Sequence, residues 1–136
     1  MNQIEETSKL CLDFKKISKV AEKCHDVIPC AVQDVDTKEV ILIAYVNKKA
    51  LDKTIETKKA VFWSTSRNEL WEKGFSSGNT FSIIEIRVNC EQNSLLYIVK
   101  PDNGKICHTK NKEGKARNCF YRRLNLKTGL LENLDP

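Results

Sequence analysis

The stretch VIPCAVQDVDTKEVILIAYVN, residues 27–47, decides the architecture of this chain. Two apolar, partly β-branched runs, 27–35 and 39–46, share the turn-like cluster DVDTK. β-branched residues suit a pleated, half-buried surface and Asp and Thr suit turns, so the stretch reads as a hairpin. Asn47 then stands where a helix N-cap belongs, since a short side-chain oxygen can accept from a backbone N–H one turn on. KKALDKTIETKK follows, with Ala50, Leu51, Thr54 and Ile55 on the side expected to be buried. Cys30, inside the first run, reads as core.

Upstream, residues 9–24 place Leu10, Phe14, Ile17, Val20 and Ala21 on one stripe at spacings of three and four, which predicts an amphipathic helix. Cys11 and Cys24 read as apolar fillers of that stripe, and His25 as a surface residue past its end. Downstream, strands are predicted at 60–66, 81–89, 94–100 and 119–126. In 81–89, Phe81, Ile83, Glu85, Arg87 and Asn89 fall on one side and Ser82, Ile84, Ile86 and Val88 on the other. Residues 67–80, punctuated by Gly74 and Gly78, read as a long polar loop, and nothing definite is predicted for 127–136. There is no repeat or linker. The fold class is therefore α+β: a mostly antiparallel, curved sheet with about two helices, one domain over 1–136 with its core at about 27–126.

At 136 residues, 40% of them apolar, the chain can bury roughly two thirds of its unfolded surface without disulfides. No apolar run approaches the roughly 18 residues of a membrane span. The start, MNQIEETSKLCLDF, lacks the basic and apolar regions of a secretory signal. These features predict a cytoplasmic protein whose six cysteines stay reduced and act as core, metal ligands or nucleophiles. The net charge of +5 suits an anionic ligand, or simply a solvated surface. It falls short of the dense basic face of a nucleic-acid binder.

Chemistry concentrates in the second half. Cys90 ends a strand, and Cys107 and Cys119 bracket a basic loop, with 16 and 11 residues between successive thiols. Three thiolates around a zinc ion leave the open position of a catalytic site. Three buried thiols in a sheet are the alternative. His108 is placed either as a fourth ligand or to act on the bound water. In WEKGFSSGN, residues 71–79, the amides at Gly74 and Gly78 can approach an anion closely, and Lys73, Ser76, Ser77 and Asn79 add donors. A phosphate-binding loop and an ordinary polar loop both fit.

From about Val27 to Arg122 the chain resembles the phosphoribosyl-AMP cyclohydrolase family of histidine biosynthesis. The likeness rests on the hairpin and helix at 27–57, on VFWSTSRNELWEKGFSSGN at 61–79, and on ICHT and NCFYR around Cys107 and Cys119. It implies that Cys90, Cys107 and Cys119 bind zinc at a homodimer interface, with thiols from both chains. It implies that zinc-activated water attacks C6 of an adenine whose N1 carries a second phosphoribosyl group, breaking N1–C6. His108 becomes the candidate general base. Arg67, Trp71, Lys73, Ser76, Ser77, Asn79, Arg117, Arg122 and, by charge, Arg123 become candidates for holding the phosphorylated nucleotide.

Three departures from the family pattern surround the site. The family's D-C-D-x-D, whose aspartates bind magnesium, reads NCEQN here, with Asn89, Glu91 and Asn93 at the aspartate positions. Magnesium favours carboxylates and water, so losing two carboxylates weakens that site. Phe75 replaces a carboxylate in K-G-E. The loop TKNKEGKARN is longer and more basic than the family's link, either gripping phosphate through Lys110, Lys112, Lys115 and Arg117 or standing as a surface insertion. Two other readings are a hydrolase of the same fold acting on another nucleotide or N-heterocycle, and a non-enzymatic zinc module that binds nucleic acid.

Overall fold

The computed structural model describes residues 3–103 and 109–136. The hairpin forms as the sequence indicates: β1 (Ile28–Asp34) pairs antiparallel with β2 (Val40–Val46), from Ile28 opposite Val46 to Gln33 opposite Val40. Asp34 shapes the turn, its Oδ1 accepting from Asp36 N at 2.8 Å and Thr37 N at 3.2 Å, the usual means by which Asp substitutes for a backbone turn. A register shift between Val32 and Gln33 admits Ile41 as an extra residue, so Ile41 and Leu42 are both buried.

Asn47 caps α3 (Lys48–Thr57), its Oδ1 accepting from Ala50 N at 2.9 Å. Ala50 and Thr54, one turn apart, form the buried seam. Thr54 Oγ1 accepts from Val61 N at 2.9 Å and has Ala50 O at 2.9 Å as an acceptor. Ile55, expected on the buried side, is exposed, because the seam is narrow and one further residue rotates off it by about 100°. The helix ends at Lys58, whose φ of 59° is left-handed.

Residues 58–60 then run beside β5 (Phe81–Val88), with Ala60 N donating to Phe81 O and Ile83 N to Lys58 O, each at 2.9 Å. β3 (Val61–Ser64) follows and pairs antiparallel with β4 (Glu69–Glu72). β4 corrects the expectation of a continuous loop over 67–80. Its terminal glutamates are exposed and concealed the strand, while Leu70 and Trp71 pack on the core. The Trp71 and Phe62 ring centroids lie 5.4 Å apart, and Phe62 lies 5.8 Å from Tyr97.

β5 pairs antiparallel with β6 (Leu95–Pro101), and β6 runs parallel to β1 with Leu95 opposite Cys30. The principal sheet has the order β2-β1-β6-β5, antiparallel at its two outer pairings and parallel at its centre. A bulge between Ile83 and Glu85 breaks the simple alternation expected for 81–89: Phe81 and Ile83 pack on the core before it, and Ile86 after it. The core is built from Val32, Val46, Phe62, Phe81, Tyr97 and Val99 around Cys30, whose thiol burial pushes up to about 12, in keeping with a packing role.

Two expectations are revised at the ends. In place of a helix over 9–24 there are α1 (Gln3–Glu6) and the shorter α2 (Lys16–Lys23). Asp13 forms a turn ahead of α2, with Lys15 N donating to its Oδ1 at 3.1 Å and Lys16 N to its carbonyl at 3.3 Å. Of the predicted stripe and its fillers, Val20 and Cys24 are buried, and Phe14 is 88% exposed. The final strand is β7 (Arg122–Leu124), and the unassigned tail returns as β8 (Leu131–Asn133) beside it. The described residues thus hold three helices and eight strands.

Candidate active site

The principal sheet has two chemically distinct ends. Ala44, Cys30, Leu95 and Val88 stand at one level across its four strands, and beyond Val88 the chain makes the turn Asn89–Ser94. At the other end lie the β1–β2 turn, Phe81, Pro101 and the segment 58–60.

That second end gathers most of the candidate groups. Lys73 leaves β4 half-buried, donates from Nζ to Asn79 O at 2.9 Å, and lies 4.5 Å from the centre of the Phe81 ring. Burial lowers its ammonium below the ordinary lysine value, while the neighbouring Cys119 thiol acts in the opposite direction. Gly74 closes the loop: its O accepts from Gly78 N at 2.8 Å, and its φ is 74°. A Cβ on Gly74 would fall 2.2 Å from Asn79 C and O, so only glycine fits there. Ser76 and Ser77 are exposed at the tip, with Ser77 Oγ accepting from Asn79 N at 3.4 Å. Phe75 is partly exposed beside them. Cys119 is exposed, and its N donates to Ile41 O at 3.1 Å along the edge of β2.

Cys90 lies elsewhere. It is exposed in the Asn89–Ser94 turn, beyond the opposite edge strand and at the opposite end. Ile41 stands about three residues along the strands from the Val88 level, roughly 10 Å. Two thiolates on one zinc stand about 4 Å apart, given a Zn–S length of about 2.3 Å. Among the described residues no group of three or more His, Cys, Asp or Glu is close enough to hold a metal. Cys107 and His108 lie outside the described residues. Their flanks are placed: Asn103 Nδ2 donates to Gly78 O, and Thr109 O accepts from Arg117 N at 3.1 Å, two residues from Cys119.

The residues at the magnesium-equivalent positions satisfy one another. Asn89 Oδ1 accepts from Asn93 N at 2.9 Å and Ser94 N at 3.0 Å. Asn89 Nδ2 donates to Asn93 Oδ1 at 2.7 Å, and Asn93 Nδ2 to Glu91 Oε2 at 3.1 Å. With one carboxylate, and amide oxygens already accepting, this donor set does not fit a hard divalent cation.

The basic candidates divide. Arg67 is exposed in the β3–β4 turn, 3.5 Å from Glu69, at the opposite end of β4 from Lys73. The neighbouring Ser66 O accepts from Lys23 of α2, so Arg67 lies toward the end where β1 begins. Trp71 is committed to the core. Arg117 and Arg122, expected at phosphates, turn onto the first residues of the chain instead. Arg117 is only 3% exposed and pairs with Glu6 at 2.7 Å and Asp135 O at 2.8 Å, which holds the Glu6 carboxyl below its usual range. Arg122 donates to Ile4 O at 2.7 Å and Thr7 O at 3.0 Å. The physical reason is that this edge meets a run of carbonyls and one carboxylate. Arg123 pairs with Glu132 at 3.4 Å. Lys110, Lys112 and Lys115 are exposed on a small ordered turn, in which Asn111 Oδ1 accepts from Glu113 N and Lys115 N.

Two features escaped the sequence. Cys11, read as a helix filler, is exposed and lines a cavity of about 270 Å³ with Cys119, Lys9 and Arg122. Asp102, Lys59, Thr80 and Ser82 form a polar cluster against the Gly74–Thr80 loop. Lys59 and Asp102 are 43 residues apart, so no local spacing announces them.

Comparison with known proteins follows this geometry. The family model described as phosphoribosyl-AMP cyclohydrolase matches residues 42–121. A phosphoribosyl-AMP cyclohydrolase of Archaeoglobus fulgidus is 47% identical over 98 residues, covering 72% of this chain and 85% of that protein. One from Cenarchaeum symbiosum is 43% identical over 111 residues, covering 81% and 97%. A histidine biosynthesis bifunctional protein of Aquifex aeolicus is 41% identical over 96 residues, 71% of this chain but 44% of that longer protein. The matched span holds the end of β2 from Leu42, the glycine loop, Cys90 and Cys119, and by these likenesses the chain belongs to the phosphoribosyl-AMP cyclohydrolase family.

Proposed function

We propose that this hydrolase opens the adenine ring of phosphoribosyl-AMP at N1–C6 in histidine biosynthesis, with zinc held by Cys90, Cys107 and Cys119 drawn from two copies of the chain. The observation that carries the reading is the meeting of Lys73, the Gly74–Thr80 loop and Cys119 at one end of the sheet, inside the family match. Zinc, when bound, acts as a Lewis acid that brings the pKa of water from about 16 to roughly 7.

The chain's own groups supply the rest. Ser76 and Ser77 offer hydroxyls to a phosphate at the tip of a loop that Gly74 keeps tight. Lys73 adds positive charge with its Nζ fixed by Asn79 O, and Phe75 offers a ring face to the nucleotide. His108, next in sequence to a zinc-binding thiol, carries the proton to the departing N1. Asn89, Glu91 and Asn93 hold no magnesium in this reading.

The separation of Cys90 and Cys119 supports a homodimer in this reading. An isologous two-fold contact sets the Cys90 corner of one chain against the Cys119 corner of its partner, and carries Arg67 toward the same place. Exposed Ile43 on β2 and exposed Ile84 and Val88 on β5 leave apolar surface for such a contact.

The test combines metal analysis, native mass and ultraviolet turnover of phosphoribosyl-AMP. Cys90→Ser and Cys119→Ser should each be inactive and lack zinc. Mixed and allowed to exchange subunits, they should recover about a quarter of wild-type activity, since half the dimers are mixed and each mixed dimer has one intact site. An active monomer, or no recovery from folded, exchanging variants, would reject the shared site.

A further inference from the structure

We infer that Asp102 is a positioning residue for the reaction, a carboxylate clamp that holds the Gly74–Thr80 loop in the shape that receives a substrate phosphate. The inference rests on the reading of that loop as the phosphate site.

Asp102 gathers donors from three segments. Its Oδ1 accepts from Ser82 Oγ at 2.6 Å, and its Oδ2 accepts from Thr80 Oγ1 and from Lys59 Nζ at 3.0 Å. Lys59 Nζ also reaches Ser82 Oγ at 2.7 Å. The backbone repeats the link, Asp102 N donating to Thr80 O at 2.9 Å. The next residue extends it, Asn103 Nδ2 donating to Gly78 O. One strand end is thereby joined to the loop at positions 78 and 80, which flank in sequence the Lys73 contact at 79.

The choice of groups points to positioning. An isolated carboxylate beside a phosphate loop would repel the ligand. Here Lys59 compensates its charge, and two hydroxyls direct their protons onto it. Thr80 and Ser82 are therefore occupied, while Ser76 and Ser77 remain exposed at the tip. A loop ordered before binding avoids the entropy of ordering on binding. That benefit appears in substrate affinity more than in the chemical step.

The experiment measures KM and kcat of the zinc-loaded enzyme with phosphoribosyl-AMP. Asp102→Ala should raise KM about tenfold and leave kcat within about twofold, and Asp102→Asn, which keeps an acceptor oxygen, should recover part of the loss. Combining Asp102→Ala with Thr80→Val should cost little more than Asp102→Ala alone, because both remove one interaction. An unchanged KM in folded Asp102→Ala, or a loss confined to kcat, overturns the inference. If Asp102→Ala does not fold, Thr80→Val alone should still raise KM about threefold, and an unchanged value there overturns it equally. Ser76→Ala/Ser77→Ala separates the parent reading: if this pair leaves KM unchanged, the loop is not the phosphate site.

Discussion

Two turns at opposite ends of one sheet solve the same problem with different chemistry. The Gly74–Thr80 loop is held from outside by charged groups, Lys73 at Asn79 and Asp102, with Lys59, at Thr80. The Asn89–Ser94 turn is held from inside, chiefly by the Asn89 and Asn93 amides, with Glu91 accepting from Asn93. External clamping leaves the tip hydroxyls of the first exposed, with protons to donate to a ligand. Internal closure leaves the second with little for a cation, although it carries Cys90. The lesson is that exposure alone does not identify a binding loop; what matters is which hydrogen-bonding groups remain unused.

The sharpest way to break the contrast is Gly74→Ala. Its Cβ would meet Asn79 backbone atoms at 2.2 Å, and displacing a binding loop by an ångström can cost about 100-fold in rate. We expect kcat/KM to fall at least about 100-fold with the circular dichroism spectrum retained; near-normal kcat/KM would mean the loop's shape is unimportant. Asn89→Ala attacks the other turn and removes the acceptor of two backbone N–H groups. It should lower stability by about 1–2 kcal/mol in urea melts.

Acid should separate the turns more gently. The Ser82 and Thr80 hydroxyls, with Lys59, hold the Asp102 carboxyl at about 2, below its ordinary 3.8. A depressed folded-state value stabilises above the unfolded one and ceases to do so as pH falls through the folded one. The melting-temperature advantage of wild type over Asp102→Asn should therefore be full at pH 5 and shrink between about pH 4 and pH 2. A constant difference over that window would contradict the clamp. The smallest effect is expected from magnesium. Millimolar Mg²⁺ should leave the wild-type melting temperature unchanged, whereas Asn89→Asp/Asn93→Asp, with three carboxylates, should be stabilised by it.

The legible parts of the fold were those that depend on local chemistry. The β1–β2 hairpin was announced by two β-branched runs around Asp34, and α3 by Asn47, whose capping bond is present. The two-glycine loop was marked by Gly74 and Gly78 in a donor-rich stretch. What escaped depended on distant partners or on charge. β4 was hidden by its terminal glutamates, and the parallel β1–β6 pairing joins segments more than sixty residues apart. The stripe over 9–24 had true helical spacing, but only Val20 and Cys24, at its end, became buried. The site divided the same way. Lys73 and Cys119 could be named from sequence and do come near one another, whereas nothing local to Arg117 shows that Glu6 will claim it.

Arg117 has a consequence for the order in which the molecule is finished. Its guanidinium lies between Glu6, made before it, and the carbonyl of Asp135, made 18 residues after it. A ribosome-bound chain that has just exposed Arg117 has half of that pocket, and must keep the cation hydrated until the remaining turn emerges. Consolidation of this corner, with the Cys119 edge beside it, thus waits until Asp135 has been made, later than the hairpin and its helix.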